Sequence, residues 1–353
     1  MKKIVLYILS IIIIVFFHSE EFLLNSIIFS LLVIPLAAVL GKGTSNISEY
    51  IGDKKSGLIA ATTGNMPELM MGLWSVNYGM IALVKSALIG SIICNMLLVL
   101  GISIFWAGIK YKEQNFNKLI ARTNFSMLFL AISAIIVLTS LNSYSNLDNL
   151  ILSSLSLKVS LVLIIIYILG LIFSLFTHRN LFLVSEIDED IIRKKISSKD
   201  MKKKKILIIN IIICSILIFF VSERLIFNIR GLINTYNLSQ EFLGIILIPI
   251  LGNVGENLAA IMCAFKNKIN LSLEIAIGSS IQIALFVTPV IVVFAYVTGV
   301  NMDLVFNYFQ IIISLIAIGI SFFVFQDGKT YWFEGAVLLS VYIMITMAYY
   351  YMV

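Results

Sequence analysis

The sequence predicts an all-α polytopic membrane protein of about eleven transmembrane helices, in which one N-terminal helix precedes two inverted five-helix repeats. Three observations predict it. Of 353 residues, 60% are hydrophobic and 12% charged, with a mean hydropathy of +1.04. A soluble domain of this length could not cover its surface with polar groups at that balance. Apolar runs of spanning length, about 20 residues, recur between short polar breaks. Finally, GNMPELMMGLWSVNYGMIALVKSALIGS at 64–91 returns 188 positions later (252 minus 64) as GNVGENLAAIMCAFKNKINLSLEIAIGS at 252–279. The two segments share Gly, Asn and Glu at one end and Gly-Ser at the other.

The runs lie near 4–18, 23–42, 57–77, 80–108, 121–141, 150–176, 205–226, 241–265, 269–299, 304–325 and 331–352. The first is short and follows Lys2-Lys3, as in a signal peptide. No small-x-small cleavage pattern precedes the polar 18–21 stretch, so a retained helix is expected. Basic residues follow the even-numbered runs: Lys42, Lys54 and Lys55; Lys110, Lys112, Lys118 and Arg122; the 177–205 segment; Lys266 and Lys268; Lys329. Arg224 and Arg230 are the exceptions. The positive-inside rule then puts the amino terminus in the cytoplasm and the carboxyl terminus outside. The expected units are an N-terminal helix at 1–20, a first repeat at 21–176, a cytoplasmic linker at 177–204 and a second repeat at 205–353. Five helices per unit is odd, so the units face opposite ways across the bilayer.

Each repeated segment sets a carboxylate, Glu68 or Glu256, inside an apolar run. A charge at a helix centre costs roughly 3 kcal/mol even on lenient insertion scales, so intramembrane acids point to function. Gly64 and Pro67, like Gly252 and Gly255, weaken local helical hydrogen bonding and free carbonyls toward a cavity. Asn65 and Asn253 lie about one helical turn before their glutamates, on the same face. Two carboxylates neutralise one divalent cation or take two protons instead, and hard cations such as Ca²⁺ want oxygen ligands. Helix-to-helix bonding is the plainer alternative, stronger for the asparagines. Ser91, Asn95, Ser279 and Gln282 add hydroxyl and amide oxygens beside Gly90 and Gly278, which also suit close helix packing.

These residues carry a resemblance. The stretch GNVGEN through KNKINLSLEIAIGSSIQIALFVTPV resembles the second repeat of cation/proton exchangers in the Ca²⁺/cation antiporter superfamily. Weaker similarity runs through KYKEQNFN at 110–117, THR at 177–179 and DGKTYWFEGAVLLSVYIM at 327–344, nearly the whole chain. The resemblance implies an inverted two-repeat fold and Ca²⁺ export driven by inward proton flow. It makes Glu68 and Glu256 the ion- and proton-binding acids, with Asn65, Asn253, Ser279 and Gln282 as neighbours. Glu223 matches a family acid on the seventh helix. Departures are Ala60 for an asparagine, Pro67 before Glu68 as in sodium/calcium exchangers, Asn257 for a histidine, and Thr44-Ser45 for a threonine-glutamate pair.

Among other charges, Glu274 reads as a snorkelling acid, and Glu223-Arg224 as an outer-surface pair or gate. The cluster Glu186, Asp188, Glu189 and Asp190 reads as a solvated linker, with regulatory Ca²⁺ binding as the alternative, although an EF-hand's glycine and terminal glutamate are missing. Lys202 to Lys205 suits anionic headgroups. The three cysteines and two histidines show no zinc or disulfide spacing. Walker loops and nucleophile–base pairs are absent too, which argues against an enzyme and against any cofactor beyond the transported Ca²⁺ and H⁺. The expected function is a Ca²⁺/H⁺ antiporter of the cell inner (plasma) membrane. Its partners are the ions and the lipid bilayer, with homo-oligomers compatible and nucleic acid not, the +6 charge being topological. A Na⁺-coupled exchanger and an uncoupled cation channel are the rivals.

Overall fold

The structure, a computed structural model, describes residues 2–17, 19–51, 59, 62–145, 147–177 and 198–352. Most of the expected linker, with Glu186, Asp188, Glu189 and Asp190, lies outside these residues, as do Lys54, Lys55 and Ala60. Seven described helices are long and apolar enough to cross a membrane, eight if one bent pair counts as a single span.

In chain order the described helices, spanning or shorter, begin with α1 (Lys2–Phe16), α2 (Phe22–Ile51), α3 (Met66–Asn77), α4 (Ile81–Tyr111), α5 (Lys118–Ser145) and α6 (Asn149–Thr177). There follow α7 (Ser198–Tyr236), α8 (Gln240–Gly252), α9 (Val254–Phe265), α10 (Ile269–Thr298), α11 (Tyr308–Val324) and α12 (Trp332–Tyr351). The expected spans at 57–77 and 241–265 both break where their GN dipeptides fall. A turn at Gly64-Asn65 precedes α3, and α8 and α9 meet at 65° across Asn253. The run expected at 205–226 extends to the much longer α7, because its polar flanks remain helical.

α4 and α10 form the buried centre, and α2 lies along α7 beside them. α4 meets α8 closely through glycines. A Cβ on Gly244 would stand 2.5 Å from the Leu83 carbonyl oxygen, and one on Gly90 2.5 Å from that of Ile245. α1 joins α7 through Tyr7, whose hydroxyl donates to Asn210 Oδ1 at 2.9 Å. Many apolar side chains of α1, α6 and α12 are exposed, as lipid contact requires.

Connections gather at two ends. At one end the mostly helical chain adds a short ribbon: β1 (Glu113–Asn115) pairs antiparallel with β2 (Lys329–Tyr331), Gln114 opposite Thr330. Extended backbone cannot leave its polar groups unpaired beside buried helices, and the two connections satisfy each other. Glu113 accepts from Lys329 Nζ at 2.8 Å. That bond holds the Glu113 carboxyl below its ordinary range and raises Lys329. The pair's contribution is therefore full between the ordinary carboxylate and lysine ranges. It fades as pH falls through the depressed Glu113 value, or rises through the elevated Lys329 value. In thermal unfolding across pH, Glu113→Gln should separate from wild type at neutral pH and converge with it in acid.

At the opposite end, Lys85 Nζ reaches Asp303 Oδ1 at 2.6 Å and the Val305 carbonyl at 2.8 Å. Leu304 and Phe306 amides donate to Ser156 and Thr139 hydroxyls. The 299–307 connection is thus tied to α4, α5 and α6. Lys85→Met leaves the partly buried Asp303 carboxylate without its cation and held only by the Val305 amide, and should cost about 1–3 kcal/mol, read as a lower melting temperature of purified protein.

Candidate functional site

Both glutamates sit in the first turn of a helix that starts at a break, Glu68 on α3 and Glu256 on α9. Pro67 falls in the first turn of α3, where a missing N–H costs nothing. The partial positive charge of a helix N-terminus favours a carboxylate there. Asn65 and Asn253 hold the N-cap positions with near-equal backbone angles (φ −95°, ψ 29°; φ −93°, ψ 7°), yet neither side chain caps its helix. They are used elsewhere.

Asn65 Nδ2 donates to Gln282 Oε1 at 2.7 Å. The Ser279 hydroxyl donates to Asn65 Oδ1 at 2.9 Å, with Asn253 Oδ1 at 3.3 Å as its other acceptor. Asn95 Nδ2 donates to Ser279 Oγ at 3.2 Å. One small network therefore joins α3, α4, α10 and the α8–α9 break. Ser91 does not enter it through a direct bond; it lines a cavity beside Glu68 with Met71, Val84 and Ile248.

Glu68 is 5% exposed, and neither of its carboxylate oxygens has a hydrogen-bond partner. Its side chain lies over Gly252, where a Cβ would stand 2.6 Å from Oε1. Glu256 is half-buried, with Oε2 buried and unpartnered. The two carboxylates are near enough for their charges to oppose each other. Such a centre needs protons or a cation. The unpartnered acceptors Glu68 Oε1 and Oε2, Glu256 Oε2 and Asn95 Oδ1 are the hard oxygens a divalent ion such as Ca²⁺ takes.

Glu223 is not part of this centre. It lies on α7 near Tyr78, beyond the far end of α3, where Trp74 and Arg230 also contact α7 or the Tyr78 ring. Glu274 sits away from it as well, in a crevice with Asn117, Asn124 and Asn270. Among the described residues, no group of three or more His, Cys, Asp or Glu gathers into a metal cluster. The site is two acids with amides and hydroxyls.

Sequence reasoning missed two features. α4 and α10 each carry a π-turn just past the site, at Cys94–Val99 and Ile283–Val287. Such turns are frequent at functional sites. Ser321 donates to the Met96 carbonyl and Thr288 to that of Ile283, bonding carbonyls within or beside the turns. The second is an asymmetry between the repeats, in which a fully buried thiol, Cys94, starts the first π-turn. Extending the 188-residue offset past Ser91 would have flagged it opposite Gln282.

Residues 22–176 and 206–351 match the sodium/calcium exchanger protein family. A Ca²⁺/H⁺ antiporter of Aphanothece halophytica is 38% identical over 330 residues, covering 91% of this chain and 88% of the relative. The Ca²⁺/H⁺ antiporter ChaA of Bacillus subtilis is 32% identical over 326 residues, covering 92% and 91%. The solved structure of native YfkE superposes with a TM-score of 0.80 at 29% identity, covering 98% of each chain.

Proposed function

This chain belongs to the sodium/calcium exchanger protein family, and we propose that it exports Ca²⁺ in exchange for H⁺ by alternating access. The observation that carries this is Glu68 lying over Gly252, at the break that starts the helix of its repeat-related acid Glu256, with both Glu68 oxygens unpartnered. Deprotonated, the two acids neutralise one divalent cation, and Asn95 Oδ1 with nearby hydroxyl and carbonyl oxygens completes its shell. Protonated, they no longer hold the ion, and the neutral site can return across the bilayer. Proton and cation compete for the same oxygens, which is the coupling. Protons as the counter-ion are supported by relatives named Ca²⁺/H⁺ antiporters.

The finer architecture in this reading is eleven spans, in two inverted repeats after α1. Supporting it, the family matches fall on 22–176 and 206–351, and breaks and π-turns recur at the repeat offset. Lys110, Lys112, Lys266, Lys268 and Lys329 belong to connections at the β1–β2 end, which we assign to the cytoplasm of a plasma membrane. Glu223 keeps a peripheral gating role in this reading. The acidic linker residues keep a regulatory alternative.

Pro67 before Glu68 favours one second reading, Na⁺ in place of H⁺. Inverted vesicles separate the two. Ca²⁺ uptake driven by a pH gradient without Na⁺ supports the proposal, and uptake that requires a Na⁺ gradient replaces it with Na⁺ coupling. Currents far above carrier turnover would make the protein a channel.

A further inference from the structure

α4 and α10 both widen just past the site, but for different reasons. In α10 the cause is local. Pro289 has no amide to give the Leu285 carbonyl four residues back. The Thr288 amide bonds the Ile283 carbonyl, five residues back, and the Thr288 hydroxyl adds a second bond to it at 2.7 Å. α4 contains no proline between Ile81 and Tyr111. Its Leu100 amide, which α spacing would give to the Met96 carbonyl, nevertheless donates to the Asn95 and Leu97 carbonyls. The Met96 carbonyl takes a donor from another helix instead, the Ser321 hydroxyl of α11 at 3.0 Å.

Ser321 is fully buried, so without this bond water could not readily replace the missing donor. α11 also reaches α4 nearer the outer end, where Gln310 Nε2 donates to Ser86 Oγ at 2.8 Å. It therefore braces α4 at two levels, and the deeper one is the wide turn.

That turn contains Asn95 as its second residue. Asn95 Nδ2 donates to Ser279 Oγ at 3.2 Å, and the Ser279 hydroxyl has the oxygens of Asn65 and Asn253 as acceptors. Asn95 Oδ1 is buried without a partner. A π-turn holds one residue more than α spacing allows, so closing it turns one flank against the other by about 100°. Asn95 cannot keep its place through that change.

We propose that Ser321 is a positioning residue of the transport site, which touches no ion but keeps the wide turn of α4 open and so holds Asn95 Oδ1 where the cation binds. The cation in this inference rests on the exchange reading above; the brace rests on the bonds just described.

Ca²⁺ binding to purified full-length protein, by isothermal titration calorimetry, is measured beside Ca²⁺ uptake by liposomes under an imposed pH gradient. Ser321→Ala should weaken Ca²⁺ affinity and raise the uptake KM about tenfold, as loss of a group that orients a metal ligand does, with the maximal rate little changed. Ser321→Cys, of similar volume and a weak donor, serves as a second variant should alanine impair folding. Ser314→Ala is the control. It removes an equally buried α11 hydroxyl that bonds its own helix, at the Gln310 carbonyl, and should leave KM unchanged. Asn95→Ala should raise KM by itself, and adding Ser321→Ala should raise it no further, because one residue acts through the other. An unchanged KM in Ser321→Ala, an equal rise in Ser314→Ala, or full additivity with Asn95→Ala overturns the assignment. Wild type that binds Ca²⁺ without gradient-driven uptake sinks the exchange reading, and the affinities alone then decide the role of Ser321. Wild type that binds no Ca²⁺ sinks both.

Discussion

Glu68→Gln removes gradient-driven Ca²⁺ uptake while the protein still folds and inserts. Glutamine fills the same volume, and no hydrogen bond is broken, because neither Glu68 oxygen has a partner. What is lost is one negative charge of two facing the cation, and with it a proton carrier. A lost charge-assisted contact of roughly 3 kcal/mol corresponds to about a hundredfold weaker binding. Without a titrating group, the coupling to protons fails as well. Glu256→Gln should behave similarly, with a smaller change in stability because Glu256 is half-buried. Radiolabelled Ca²⁺ uptake under an imposed pH gradient, normalised to monodisperse protein, checks both.

Gly252→Ala is the second large expected effect, and it comes from a residue that need not touch the ion. The new Cβ would stand 2.6 Å from Glu68 Oε1 and 2.7 Å from Cδ, with Cγ at 2.9 Å. The carboxylate must swing away, because the glycine lies in the α8 backbone against the α8–α9 break. A displacement of about 1 Å at a reacting centre costs on the order of a hundredfold in rate. Gly278→Ala is the control, since nothing lies within 4 Å of its added Cβ. Uptake should collapse in the first variant and persist in the second.

Much of this site was legible because the chain states it twice. Two intramembrane acids at a fixed offset, each preceded by Gly-Asn, marked the breaks, the helix starts and the network of Asn65, Asn253, Ser279, Asn95 and Gln282. Other features had no local signal. The β1–β2 ribbon is two polar tripeptides whose pairing depends on helices more than 200 positions apart (329 minus 113). Lys85 stands alone among apolar neighbours in the sequence, and its partner Asp303 comes from a distant connection. The π-turn of α4 arises from tertiary packing and from the Ser321 hydroxyl that bonds a carbonyl there. Cys94 looks like an ordinary small apolar residue until the repeat frame sets it opposite Gln282.

Proton release on adding Ca²⁺ to purified, lightly buffered protein, read with a pH indicator, tests the central claim most directly. If Glu68 and Glu256 trade protons for the cation, wild type acidifies the solution as Ca²⁺ binds, and Glu68→Gln/Glu256→Gln does not. Ca²⁺ that binds wild type without releasing protons, or equal release from the double variant, would contradict exchange at these two carboxylates.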